Sequence, residues 1–278
     1  MMRRVSALSL FFITACLLSW LVWLPKVAGV YGWWAIGAVS PYWHLVGSLG
    51  PAIAALIVTY CTGGMSAVKD LWRVVVRWRT GWRWWAVAMG PVFILLFAAA
   101  AVRMSAGELV NWQRVLHSEE YPALGSLALL GAQIICYGFG EEIGWRGFAL
   151  PRLLQRQGAL RASILLSVPW AIWHIPLLVT NDTYRSMSPI MLLGWYVSLL
   201  TGSVLLTWLF VRGGRNVLLV ALFHATLDLV MVNAGVTPSM LPVMGALVTV
   251  WGCVAGVLLV RDARVGAVRD EGGRARQG

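Results

Sequence analysis

The chain has 278 residues, 59% of them hydrophobic and only 12% charged, with a mean hydropathy of +0.75. Soluble domains carry about a quarter charged residues, so a water-facing globule is excluded, as are a disordered chain, a coiled coil and a disulfide-stapled secreted domain. The net charge of +11 would suit nucleic acid, but the placement of the charges along the chain points to lipid instead.

A hydrocarbon core of about 30 Å needs about 20 apolar helical residues. Eight segments meet that need in chain order: about 5–24, 45–62, 84–102, 124–145, 163–180, 189–211, 217–233 and 240–260. The first contains Ile13-Thr14-Ala15-Cys16, which resembles a bacterial lipoprotein cleavage box, with Cys16 as the cleavage-site residue. Its apolar run continues through Leu24, longer than a signal-peptide core, so the expectation is an intact first span. The second is short and marked by Gly and Pro, and the fourth ends in charge. Between the second and third, Arg73 to Trp85 mixes Arg and Trp as an in-plane amphipathic segment would. The four cysteines (Cys16, Cys61, Cys136, Cys253) lie far apart in apolar stretches, without disulfide or metal spacing. No repeat or linker divides the chain. The expectation is an all-α polytopic membrane protein of about eight transmembrane helices, one domain over 1–278, with a basic, disordered cytoplasmic tail over 261–278.

All but Lys26, Arg103, Arg114 and Arg185 of the 22 Lys and Arg residues fall in five alternate segments. These are Arg3–Arg4, Lys69 to Arg83, Arg146 to Arg161, Arg212–Arg215 and Arg261 to Arg276. Cytoplasmic loops accumulate basic residues, so the alternation predicts both termini in the cytoplasm, in a bacterial cell membrane. It also explains the basic pI: the charge faces anionic lipid, with no nucleic-acid partner. Trp20, Trp23, Trp33, Trp34, Trp43, Trp82, Trp84 and Trp85 sit near predicted span ends, where amphipathic rings prefer the interface.

Of the eleven acids and four histidines, most lie in loops, at span edges or in the tail, among them His44 and Glu120. Five fall inside apolar segments: Glu141, Glu142, His174, His224 and Asp228. A charge near mid-bilayer costs about 2.5–3.5 kcal/mol on insertion scales, so five ask for a function. At about 1.5 Å per residue, His174 and Asp228 lie about 16 Å and His224 about 10 Å from the basic end. Glu141 and Glu142 fall in the same cytoplasmic-side layer. Glu142 and Arg146 are i,i+4, as are His224 and Asp228, so each pair shares a helix face. Trp170 lies one turn before His174 and would wall the site against lipid. Pro169 and Pro176 bracket His174 and predict a kink. Gly138, Gly140, Gly144 and Gly147 surround the acids and allow close helix approach. Taken singly, Glu142–Arg146 also reads as a structural ion pair, His174 as a packing histidine and His224–Asp228 as a helix-packing pair. At matched depth they read as a site.

Two carboxylates and two histidines in a partly dry cavity suit hydrolysis by activated water. A desolvated carboxylate takes the proton from water, assisted by a histidine, and a second histidine stabilises the oxyanion. The same groups, Glu141, His174 and His224, could hold zinc, although no HExxH helix is present. Neither a GxSxG elbow nor a Cys nucleophile motif appears.

Glu141-Glu142-Ile-Gly-Trp-Arg146 resembles the EExxxR motif of the CAAX-processing and bacteriocin-immunity intramembrane proteases, the CPBP or Abi family. Trp170-Ala-Ile-Trp-His174 resembles its FxxxH motif, and His224-Ala-Thr-Leu-Asp228 its HxxxN/D motif. Gly50-Pro51 resembles a stretch upstream of that core, which here covers about 120–235. The resemblance implies an eight-helix endopeptidase whose site opens to the cytoplasm, acting on a hydrophobic or membrane-tethered, CAAX-like substrate. Glu141 with His174 would activate water, His224 with Asp228 would form the oxyanion site, and Glu142 with Arg146 would support the geometry. Family members are described both as metalloproteases and as metal-independent glutamate proteases, so a divalent metal such as zinc stays open. Trp170 replaces the motif's Phe, and Asp228 occupies a position that can be Asn. Buried Glu, His and Asp also build proton- or ion-coupled transporters, and a non-catalytic immunity-type membrane protein is a further alternative.

Overall fold

The computed structural model describes residues 6–33, 40, 42–107, 109–112, 116–231 and 241–274. Arg3, Arg4, Trp34, Arg114, Arg276 and the predicted span edge at 232–233 lie outside them. The protein is an all-helical integral membrane protein, with no strand among the described residues. Among the described residues, five helices are long and apolar enough to cross a membrane: Ala7–Val30, Trp43–Val75, Trp82–Ser105, Pro189–Arg212 and Pro242–Ala263. Two shorter apolar helices, Ala159–Trp173 and Val217–Met231, and a helical run over 126–154 occupy the remaining predicted spans.

Helix α1 (Ala7–Val30) starts where the Ser6 hydroxyl accepts the Ser9 N–H at 3.1 Å, a capping contact that satisfies an orphan donor. Hydropathy is high all round this helix, so it does not say which side faces protein. The buried residues Phe11, Ala15, Ser19 and Trp23 recur every four positions and form the stripe against the bundle. Ile13, Leu17, Leu21 and Leu24 are exposed on the other side, where the hydrocarbon solvates them.

After the short α2 (Trp43–Gly47), α3 (Gly50–Val75) breaks at Gly64, with φ 66° and ψ −168°, a conformation open to glycine at little steric cost. The predicted in-plane segment takes a different form from a single stretch at Arg73–Trp85. It begins with the end of α3, which buries Leu71 and Val75 and exposes Trp72 and Arg73. It continues through a loop in which Arg77 and Thr80 donate to the carbonyls of Gly214 and Gly213, both at 2.9 Å. It ends in the first turn of α4 (Trp82–Ser105).

The run 126–154 comprises α5 (Ser126–Ala132), π1 (Gln133–Phe139), α6 (Gly140–Glu142), π2 (Ile143–Ala149) and α7 (Leu150–Leu154). It extends well past the predicted end at 145, because Arg146 is fully buried rather than a loop charge. Glu141 and Glu142 therefore sit near the middle of the run. Helix α8 (Ala159–Trp173) stops one residue before His174, and α9 (Ile175–Thr180) resumes after it. A single turn, α10 (Asp182–Arg185), leads to α11 (Pro189–Arg212). Gly214 and Arg215, at φ 81° and 56°, then reverse the chain, and the Asn216 side chain caps α12 (Val217–Met231) by accepting the Leu219 N–H at 3.0 Å. Helix α13 (Leu241–Arg274) is continuous, so residues 261–274, expected as a disordered tail, extend a helix.

Candidate active site

Glu141 and Glu142 occupy the three-residue α6 between two seven-residue π stretches, wide turns that recur at functional positions in helices. The glycines around them let backbone meet backbone. A Cβ at Gly138 would lie 2.6 Å from the Ala221 carbonyl oxygen of α12, one at Gly140 2.7 Å from that of Ser48, and one at Gly144 2.7 Å from that of Pro51. Gly147 differs: a Cβ there would meet Leu71 at an ordinary 3.4 Å. The Gly50-Pro51 stretch thus seats directly on the acidic motif.

Neighbouring positions on a helix point about 100° apart, and the two acids reach different partners. Glu142 Oε1 accepts from Arg146 Nη1 and from His224 Nδ1, both at 2.8 Å. Glu142 and Arg146 are completely buried. Glu142 Oε2 and Arg146 Nε and Nη2 have no partner among the described residues, so the shared oxygen carries the whole contact. On the far side of the ring, His224 Nε2 lies 3.5 Å from Asp228 Oδ2. Nδ1–H is committed to Glu142, so a neutral imidazole would turn its lone pair toward a carboxylate. One proton must therefore sit on His224 Nε2 or on Asp228, and either form supplies a donor. Asp228 is only half-buried, its side chain 30% exposed.

Glu141 Oε2 accepts from the indole Nε1 of Trp170 at 2.8 Å, leaving Oε1 without a hydrogen bond among the described residues. His174 reaches the same tryptophan through its backbone: His174 Nδ1 lies 2.7 Å from the Trp170 carbonyl oxygen. A carbonyl only accepts, so Nδ1 carries the proton and the neutral ring keeps its lone pair on Nε2. The sequence builds this contact locally. Pro176 clashes with the preceding turn, the helix tightens, and the His174 N–H bonds to the Ala171 carbonyl instead of that of Trp170. The Trp170 carbonyl is left to the imidazole, and the Trp173 carbonyl accepts from Trp20 Nε1 at 3.0 Å. The His174 ring is boxed by Trp173, Trp195 and Trp170, with centroids at 4.8, 5.5 and 5.8 Å.

Trp170 is more than a wall. Its ring lies 4.4 Å from the Arg146 guanidinium carbon and 5.8 Å, edge-on, from His224. Glu142, Arg146, His224 and Asp228 form one chain of contacts, Glu141, Trp170 and His174 another, and the Trp170 ring joins them. Among the described residues, Glu141 and His174 are linked by hydrogen bonds through Trp170. The alternative metal set is not gathered: among the described residues no three His, Cys, Asp or Glu side chains form a ligand cluster. Glu141 Oε2 is turned to Trp170 and His224 Nδ1 to Glu142. These residues as arranged do not fit a three-ligand zinc centre.

A second polar cluster was not legible in the sequence. His44 Nδ1 lies 2.8 Å from Glu120 Oε1, 3.0 Å from the Tyr137 hydroxyl and 3.2 Å from that of Tyr121. The two hydroxyls are 2.6 Å apart. It pins the loop before α5 and the short α2 to π1, and Tyr137 sits one turn before Glu141. Burial alone would raise the Glu120 carboxyl, but His44, with help from Tyr121 and Lys26, outweighs it and holds the group below the usual carboxylate range. The one sequence signal was the four-residue spacing of Tyr137 and Glu141.

Residues 123–230, which carry all three motifs, match the family model of the type II CAAX prenyl endopeptidases, Rce1-like. This segment is similar to that family. A stretch of 93 residues is 32% identical to CAAX prenyl protease 2 of Methanococcus maripaludis. That match covers 32% of this chain and spans about a third, 34%, of the relative. The matched segment runs from the loop before α5 to the end of α12, so α1–α4 and α13 lie outside it.

Proposed function

We propose that the protein is an intramembrane endopeptidase that hydrolyses a peptide bond in a hydrophobic or lipid-anchored, CAAX-like substrate. The observation that carries this reading is the joining of the three motifs, from π1–π2, α8 and α12, around one indole ring. Glu141 Oε1, free of other partners, takes a proton from water as its oxygen attacks the scissile carbonyl carbon, and the His174 Nε2 lone pair helps orient that water. The proton held between His224 and Asp228 is donated toward the developing oxyanion. Collapse of the tetrahedral intermediate breaks the C–N bond, and the proton on Glu141 passes to the leaving amine. Glu142 and Arg146 keep His224 in place. The clustering of basic residues in alternate segments supports a reading with both termini in the cytoplasm of a bacterial cell, with lipid around the helices and prenylated protein as the partner class.

The test is cleavage of a fluorogenic prenylated peptide by the purified protein in lipid nanodiscs. Glu141→Gln and His174→Ala are expected to abolish turnover while keeping the wild-type helical spectrum, and a strong chelator is expected to leave turnover intact. Equal cleavage by folded Glu141→Gln protein would overturn the proposal. Loss of cleavage on chelation, restored by zinc, would replace the water-activating carboxylate with a metal.

A further inference from the structure

Trp170 stands where the family motif has Phe, and its indole N–H does what no phenyl ring can. On the reading of Glu141 as the water-activating group, we infer that Trp170 is a positioning residue whose indole N–H fixes the Glu141 carboxylate with Oε1 turned to the attacking water. Glu141 is 3% exposed, and the 2.8 Å contact from Trp170 Nε1 is its one side-chain hydrogen bond among the described residues. The terminal torsion of a Glu side chain is soft, so without that donor nothing fixes the plane of the carboxylate against the attacking water. The ring itself cannot drift. The Arg146 guanidinium lies 4.4 Å from its centroid, the His224 ring meets it edge-on at 5.8 Å, and the residue is buried in the core. The backbone of Trp170 holds His174 Nδ1 at 2.7 Å, and a side-chain replacement leaves that carbonyl in place. Replacing only the N–H group, with the ring kept, therefore addresses Glu141, and the His174 tautomer is kept.

Two variants test this: Trp170→Phe, and an isosteric analogue at position 170 in which sulfur replaces the indole N–H. The second keeps shape and packing should the first fail to fold. Hydrogen bonds to charged groups are the stronger class, so kcat on the prenylated peptide is expected to fall about 10- to 100-fold, with KM within about twofold. A residue that merely packs would not give that split in the isosteric analogue. Independently of turnover, the 17 tryptophans give indole N–H resonances in nitrogen-15-labelled protein. The one that vanishes in both Trp170 variants is expected to shift markedly in Glu141→Gln. Wild-type kcat in the analogue, or an unmoved indole resonance in Glu141→Gln, would overturn the inference. If the wild-type protein cuts no peptide, the reading of the site fails, and the resonance still decides whether the indole holds the carboxylate.

Discussion

Arg146 offers the sharpest test of how the site is held. Its side chain and that of Glu142 are 0% exposed, with Nη1 and Oε1 2.8 Å apart. At an effective dielectric of about 20, two unit charges at that distance attract by about 6 kcal/mol. Desolvating the two ions costs several kcal/mol each, so the pair as a whole contributes little net stability, whereas removing one partner strands a buried charge at about 3–5 kcal/mol. Arg146→Met removes the cation and leaves Glu142 facing only His224. The expected loss is about 3–5 kcal/mol. Adding Glu142→Gln removes the stranded charge while leaving a carbonyl oxygen for His224 Nδ1–H. The double variant is therefore expected to lose less than about 2 kcal/mol relative to wild type. Unfolding titrations in lipid bicelles followed by circular dichroism measure both. If Arg146→Met unfolds within about 1 kcal/mol of wild type, or the double variant is no better than the single, the stranded-charge account is wrong.

Two further outcomes follow from other contacts. Glu120 has its folded-state carboxyl held down by His44, so its stabilisation is present above the unfolded value, near 4.5, and is lost as pH falls through the lower folded value. Wild-type melting temperature should drop on acidification below about pH 4.5, and Glu120→Gln should flatten that dependence; parallel curves would refute it. At Gly144, a Cβ would stand 2.7 Å from the Pro51 carbonyl oxygen and 2.8 Å from its carbonyl carbon, backbone that cannot swing aside. Gly144→Ala should destabilise by about 1–3 kcal/mol and Gly147→Ala much less, as read from thermal melts of the two variants side by side.

Much of this architecture could be read from the residues. Hydropathy located the helical segments, and the spacing of Pro169, His174 and Pro176 located the break in the α8–α9 passage. The i,i+4 pairs Glu142–Arg146 and His224–Asp228 were visible because helical periodicity is a local property. What periodicity could not supply was facing. In α1 the side toward the bundle and the side toward lipid are equally apolar, and only Ala15 and Ser19 hint at the difference. Counting Arg146 as a loop charge shortened the fourth span, because a buried ion pair and a cytoplasmic guanidinium look alike in sequence. The π stretches left no compositional trace. The His44–Glu120–Tyr121–Tyr137 cluster joins positions up to 93 residues apart, and each member alone resembles an ordinary loop or helix-surface residue. Trp170 read as a bulky substitute for Phe, since its donor gains meaning only when Glu141 is opposite it.

The notch at His174 shows how an interruption can survive at membrane depth. Hydrocarbon offers nothing to an orphaned carbonyl, so a helix that stops among acyl chains must find other donors for its loosened ends. Here an imidazole from within the notch takes the Trp170 carbonyl and an indole from α1 takes that of Trp173. Aromatic heterocycles thereby act as portable solvent. The first helix, outside the matched region, becomes a structural guarantor of the notch that holds the histidine.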